Sequence, residues 1–202
     1  MTTTPDPRPR TFIRGLTLHR PWPWAFCFDT KRAENRPWAP RSVEEDGEKH
    51  WLLRKPVDGV IEARQSVKLY LAIHAGSTLD REALAYLHDR NRAQGGVIDF
   101  DNEPQRIVGV GRLARVLDVW ATLPEDPLRA PHEEWIYDPP KDEVPEGRRP
   151  YAWILEDFIA FRSPIPAKGA QGLWRLEPDL YARVRKRYAE DLAWYKREGG
   201  EG

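Results

Sequence analysis

The sequence predicts an α+β fold with a small, bent sheet or barrel. Three observations lead there. Segments with β character recur along the chain without adjoining one another, and helical periodicity is confined to a few stretches. One strand, Ile107 to Val119, carries Gly109 and Gly111, as at a bulge or a barrel corner. Composition supports a folded body: of 202 residues, 40% are hydrophobic and 11% aromatic, enough to bury a sizeable core. That length favours one domain with insertions. Lys+Arg and Asp+Glu both number 32, so an anionic partner must meet a local patch and not a global field. No apolar run reaches the ~20 residues of a membrane helix. The MTTTPDPRPR start lacks a signal-type stretch, and the single Cys27 can form no internal disulfide. A cytoplasmic, membrane-free monomer is the expectation.

Residues 1–11 read as a flexible basic arm. Phe12 to Leu18 suit a strand, which His19-Arg20-Pro21 ends. Pro21 suits a first helical turn, so 22–29 is a short helix, and 32–36 is a short strand. The polar stretch 39–66, with Pro40, Pro56 and Gly59, reads as a long loop or insertion. Lys68 to His74 (KLYLAIH) is a clear strand. Ser77 or Thr78 then caps a helix running to about Asn91, with Asp80 in its first turn and Leu84 and Leu87 facing inward. After the glycine-bearing strand comes 120–149, an insertion rich in proline. Between Asp118 and Glu146 it holds nine acids against two bases, the composition of a solvated loop. Tyr151 to Phe161 alternates Trp153, Leu155 and Ile159 with polar residues, and Gly172 to Leu176 is a last strand. Pro178 opens a C-terminal helix with Leu180, Val184, Tyr188, Leu192 and Tyr195 at helical spacing, ending in a GGEG tail. The domain proper is therefore 12–176, with 177–202 a helix packed on it.

Several chemistries are missing. There is no GxxxxGK[ST] loop to cradle phosphates. Gly109-Val-Gly111-Arg-Leu-Ala114 matches GxGxxA, but strand and not helix follows it, so the anion-binding helix terminus is absent. The five histidines show no metal-ligand spacing, one cysteine cannot anchor zinc, and no serine lies in a GxSxG elbow. No metal and no cofactor are expected.

The informative stretch is Leu16-Thr-Leu-His-Arg-Pro-Trp-Pro-Trp-Ala25 followed by Asp29-Thr-Lys31-Arg-Ala-Glu34-Asn-Arg36-Pro-Trp38. Along a strand Glu34 and Arg36 share a face, their Cβ atoms roughly 7 Å apart. Lys31, at the preceding turn, is placed to meet Glu34, so that a cation, an anion and a second cation share one small area, and Trp22, Trp24 and Trp38 crowd around them in sequence. The first 40 residues hold seven Lys/Arg against three acids, so this end carries the local positive charge. Indole rings stack on any base, Arg and Lys meet phosphate, and a carboxylate accepts from an exocyclic amino group. The same residue types also build cores and hinge ion-pair networks. His74, at a strand end, suits either a cleft or a hydrogen-bonded core position.

These residues resemble the ASCH family, a branch of the PUA-like superfamily. Its signature is G-x-K-x-x-E-x-R, matched by Asp29-Thr-Lys31-Arg-Ala-Glu34-Asn-Arg36 except that Asp29 stands where the family has glycine. LTLHRPWPWA, LAIHAG, IVGVGRLARVLD, YAWILEDF and PIPAKGAQGLWRL resemble the family's strands in order, over roughly 13–176 without the two insertions. The resemblance implies a PUA-like bent β-barrel with a few flanking helices. It also implies a cationic, aromatic-lined cleft that binds nucleic acid, as single-stranded RNA or a flipped, modified base. Lys31, Glu34, Arg36, Arg20, Trp22, Trp24, Trp38 and His74 would be the ligand-binding residues. Some relatives are enzymes. A metal-independent ribonuclease would use Lys31 to stabilise phosphorane charge, with Glu34 or His74 as base. The related amidohydrolases carry a threonine nucleophile at the position of Glu34, so that chemistry lacks its hydroxyl here.

Overall fold

The structure is a computed structural model and describes residues 9–93 and 104–198. In chain order these form strand β1 (Arg10–Arg20), helix α1 (Trp22–Phe28), and strands β2 (Ala33–Arg36), β3 (Ser42–Glu45), β4 (Glu48–Trp51), β5 (Val60–Glu62) and β6 (Val67–Leu79). Helix α2 (Arg81–Ala93) and strand β7 (Arg106–Asp118) follow, then 3-10 turns over Ala130–Trp135 and Lys141–Glu143. Strands β8 (Tyr151–Pro166) and β9 (Leu173–Arg175) and helix α3 (Pro178–Glu198) complete the chain. The class is α+β, with one curled sheet in the order β2-β8-β7-β6-β1-β9 and β5 added on β7.

The described residues fall into two compact units. The first comprises 9–12, 32–70 and 112–156. Here β2 pairs antiparallel with β8 from Ala33↔Ile154 to Arg36↔Tyr151, and β5 with β7 from Val60↔Leu117 to Glu62↔Arg115. Its core gathers Leu52, Leu113, Leu117, Trp135 and Trp153. Trp153 lies edge-on to Trp38, centroids 4.6 Å apart, and its Nε1 donates to the Trp38 carbonyl at 2.9 Å. The second unit comprises 13–31, 71–93, 104–111 and 157–198. There β1 pairs antiparallel with β9, and Leu16, Phe26, Leu71, Ile73, Ile107 and Val184 are buried. Gly109 permits a close approach: a Cβ there would lie 2.5 Å from the Phe158 ring, and β7 runs on through it without a break.

Four expectations change. Residues 10–11 are not part of an arm but begin β1, where Arg10 bonds Glu48 at 2.9 Å; residues 1–8 lie outside the described residues. The 39–66 stretch is not a plain loop. It contains the β3–β4 hairpin and a second tight turn before β5, because both Asp46-Gly47 (φ 51° and 78°) and Asp58-Gly59 (φ 47° and 81°) take the left-handed conformation of two-residue hairpin turns. Ser77 and Thr78 remain in β6, and the cap of α2 is Asp80, whose Oδ1 accepts from Ala83 N at 2.9 Å. The acidic 120–149 segment is anchored and not merely solvated, since Arg129, Trp135 and Ile136 are buried in it. In α3, Val184 is buried as expected while Leu180, Tyr188, Leu192 and Tyr195 are half-buried. The other buried residue is an acid: Asp191 accepts from Arg162 Nε at 2.8 Å.

Candidate functional site

In the first unit the signature places Glu34 and Arg36 on the same face of β2, as the period of a strand requires. They touch: Arg36 Nη2 lies 3.2 Å from Glu34 Oε1, with both side chains largely shielded from solvent. The pair is not sealed in. Arg36 lines an apolar cavity of about 250 Å³ together with Pro37, Tyr137, Pro139, Pro150 and Tyr151. Trp38, one of the expected stacking rings, is instead committed to Trp153.

The cavity wall opposite β2 comes from the acidic segment, and a residue passed over in the sequence holds it there. Asn35 Nδ2 donates to the Trp135 carbonyl at 2.9 Å, and its Oδ1 accepts from Tyr137 N at 3.0 Å. One side-chain amide thus satisfies both a backbone acceptor and a backbone donor. The segment is tied internally by Arg129, only 1% exposed. Its guanidinium donates to Glu133 (2.6 and 3.0 Å), Asp138 (3.1 Å), and the carbonyls of Val119 (2.8 Å) and Thr122 (2.5 Å). These bonds, that to Glu133 foremost, raise the Arg129 pKa above its ordinary value. The proline-rich composition hid this anchor. The only signal was an arginine spaced i, i+4 from Glu133.

In the second unit Lys31 is 3% exposed, its Nζ 5.4 Å from the centroid of Trp22 and 5.1 Å from that of Phe26. An ammonium over two ring faces is held by their negative quadrupoles. Trp24, on the same helix, is buried against Phe28. Arg20 donates to the Ser77 carbonyl at 3.0 Å. His74 is a packed residue, 1% exposed: Nε2 lies 2.9 Å from the Ala167 carbonyl oxygen, and Trp174 stands edge-on to the ring. Burial lowers its pKa, with the Ala167 bond opposing, so it is neutral near pH 7.

Asp29, where the signature has glycine, needs no glycine conformation, with φ −137° and ψ −177°. It clamps Arg90 of α2 through Nε (2.7 Å) and Nη2 (3.2 Å) and accepts from Thr30 N at 2.7 Å. Burial pushes its pKa up, but Arg90 and Thr30 outweigh that and leave it below the usual value. Among the described residues no group of three or more His, Cys, Asp or Glu is placed to hold a metal, and no helix is long and apolar enough to cross a membrane.

The ASCH protein of Zymomonas mobilis is similar in structure, with a TM-score of 0.43 and 14% identity over 86% of this chain and 94% of that chain. The similar structures are ASCH proteins. Two mutant forms of the same Zymomonas mobilis protein match at TM-scores of 0.43 and 0.40. No family model and no curated protein matches the sequence. At this identity the likeness concerns the fold alone.

Proposed function

We propose that the chain binds single-stranded nucleic acid and takes one base into the cavity beside Arg36. The observation that carries this reading is a guanidinium, oriented by Glu34, in the wall of a small cavity flanked by Tyr137, Tyr151 and prolines. At about 250 Å³ the space falls below the ≈300–1,000 Å³ of drug-sized pockets, which suits a single base and not a folded oligonucleotide. Single-stranded recognition has this form: a splayed base stacks on an aromatic face and meets arginine along its edge. Glu34 keeps Arg36 pointed.

RNA is the favoured substrate class, on the sequence resemblance. The reading stops at binding. His74 is held under the Ala167 carbonyl and lacks the access a general base needs.

Fluorescence anisotropy with a labelled 12-nucleotide oligouridine and its DNA counterpart tests the proposal. Arg36→Ala should cost about 1–3 kcal/mol of affinity, the range for a directed arginine–base contact. Unchanged binding in a folded Arg36→Ala variant would overturn the assignment.

A further inference from the structure

We infer that the 39–66 insertion builds a second, phosphate-binding groove in the first unit, along which a single strand runs on from the Arg36 cavity. The inference rests on the reading above for its ligand class. Its own basis is a separate cavity of about 750 Å³, roughly three times the volume of the first, lined by Arg41, Arg54, Lys55, Arg64 and Arg149 and by the aromatic rings of Trp51 and Tyr151. Tyr151 lines both cavities. A strand leaving the smaller one past that ring enters the larger.

The charge balance says what the groove accepts. Five cations line it against two acids, Asp58 and Asp118, and Asp118 is already taken by Arg149. Arg41, Arg54 and Lys55 are exposed, and among the described residues they reach no carboxylate within ion-pair distance. A neighbouring cavity of about 380 Å³ shares Arg54 and Arg64 and adds Lys68, Arg112 and Arg115, so the positive strip continues. There Glu62 and Glu156 are engaged by Arg112 and Arg115, which leaves Arg54, Arg64 and Lys68 facing solvent. Cations held together with too few carboxylates repel one another, and an anion relieves that.

The backbone beneath is stiff, so the cations are presented and not trailing. Arg54 N donates to the Glu62 carbonyl (2.9 Å), Arg64 N to that of Leu52 (2.7 Å), and Arg64 Nε to that of Leu53 (3.1 Å). The Asp58-Gly59 turn closes one rim with reciprocal 2.9 Å bonds between Val57 and Val60. Trp51 makes the partner a nucleic acid strand in preference to an acidic peptide. The residue is 52% exposed, with Lys49 Nζ 4.7 Å from the ring centroid, and a large exposed aromatic residue among cations is a stacking platform for an unpaired base.

The test uses the full chain and labelled oligouridines of 6 and 18 nucleotides, titrated at several salt concentrations. Each phosphate contact on a single strand contributes about 0.7 to the slope of log affinity against log salt. Losing two in Arg54→Ala/Lys55→Ala should lower the slope by about 1.4 and the affinity at 0.1 M salt by about 25-fold. Trp51→Ala should cost at least about fivefold for the 18-mer and leave the slope unchanged. Both effects should be smaller on the 6-mer. Unchanged slope and affinity in the double variant, with Arg36→Ala still impaired, overturn the groove and leave the base cavity standing. Impairment in the groove variants with none in Arg36→Ala supports the groove and overturns the cavity reading. Displacement of the 18-mer by polyglutamate as efficiently as by unlabelled oligouridine marks a general polyanion surface and overturns the proposal.

Discussion

Replacing Arg129 with alanine should destabilise the first unit and loosen the wall of the base cavity together. Five hydrogen bonds disappear. Two of their acceptors, the Val119 and Thr122 carbonyls, belong to residues that are 2% and 4% exposed, so each is left without its donor in a dry setting. That costs about 1–3 kcal/mol apiece. Glu133 and Asp138, with side chains 40% and 47% exposed, return to water and add little. The expected total is about 3–5 kcal/mol, a large share of the roughly 5–15 kcal/mol that holds an ordinary domain together. Arg129→Lys keeps the charge but brings three donors on one atom in place of a planar fork, and should cost about half as much. Urea denaturation followed by tryptophan fluorescence measures the loss, and amide exchange across 119–138 localises it. An alanine variant within about 1 kcal/mol of the parent, with exchange unchanged over that segment, would show that the guanidinium is not the anchor.

Three further outcomes are expected. Asp29→Gly, which restores the residue the signature calls for, should lower stability by about 2–3 kcal/mol, because it abandons the two-point grip on a largely buried Arg90; an increase in the urea midpoint would contradict this. Burial lowers the pKa of His74, and burial with repulsion from Arg115 and Arg32 lowers that of His132, so the unfolded chain takes up these protons first as pH falls. Stability present above about pH 6.5 should therefore decline below it, and less steeply in His74→Gln/His132→Gln; equal declines at pH 5.5 would remove the two histidines as the cause. Asn35→Ala should weaken oligouridine binding while Arg36 and Glu34 stay in place, since the Tyr137 wall loses both its ties. Binding equal to that of the parent would show that the wall stands without them.

Much of the sheet was legible in the residues. β6, β7, β8 and α3 announced themselves because long buried strands and a periodic helix leave strong patterns over many positions. The misread regions share a cause: their structure is set by single residues and not by periodicity. Two Asp-Gly pairs turned the 39–66 stretch into hairpins, although its hydrophobic content is that of a loop. One buried arginine converted an acidic, proline-rich run into a fixed wall. At the site, Glu34 and Arg36 meet as strand spacing dictates, and Lys31 finds Trp22 as sequence proximity suggested. Trp24, Trp38 and His74 could not be placed from sequence, because stacking platforms and core rings draw on the same residue types. Asn35 lay inside the signature as an unspecified position, and only the fold shows its two partners.

That asparagine has a consequence for how the molecule lives among its copies. β2 is the outermost strand of its sheet, and an uncovered border of that kind invites another chain to add itself by backbone pairing. By binding a carbonyl and an amide from residues 135 and 137, the Asn35 side chain does what a peptide group of a neighbouring strand would do. The segment carrying them is thereby tied to the border strand, and a copy seeking to pair with β2 meets that segment beside it.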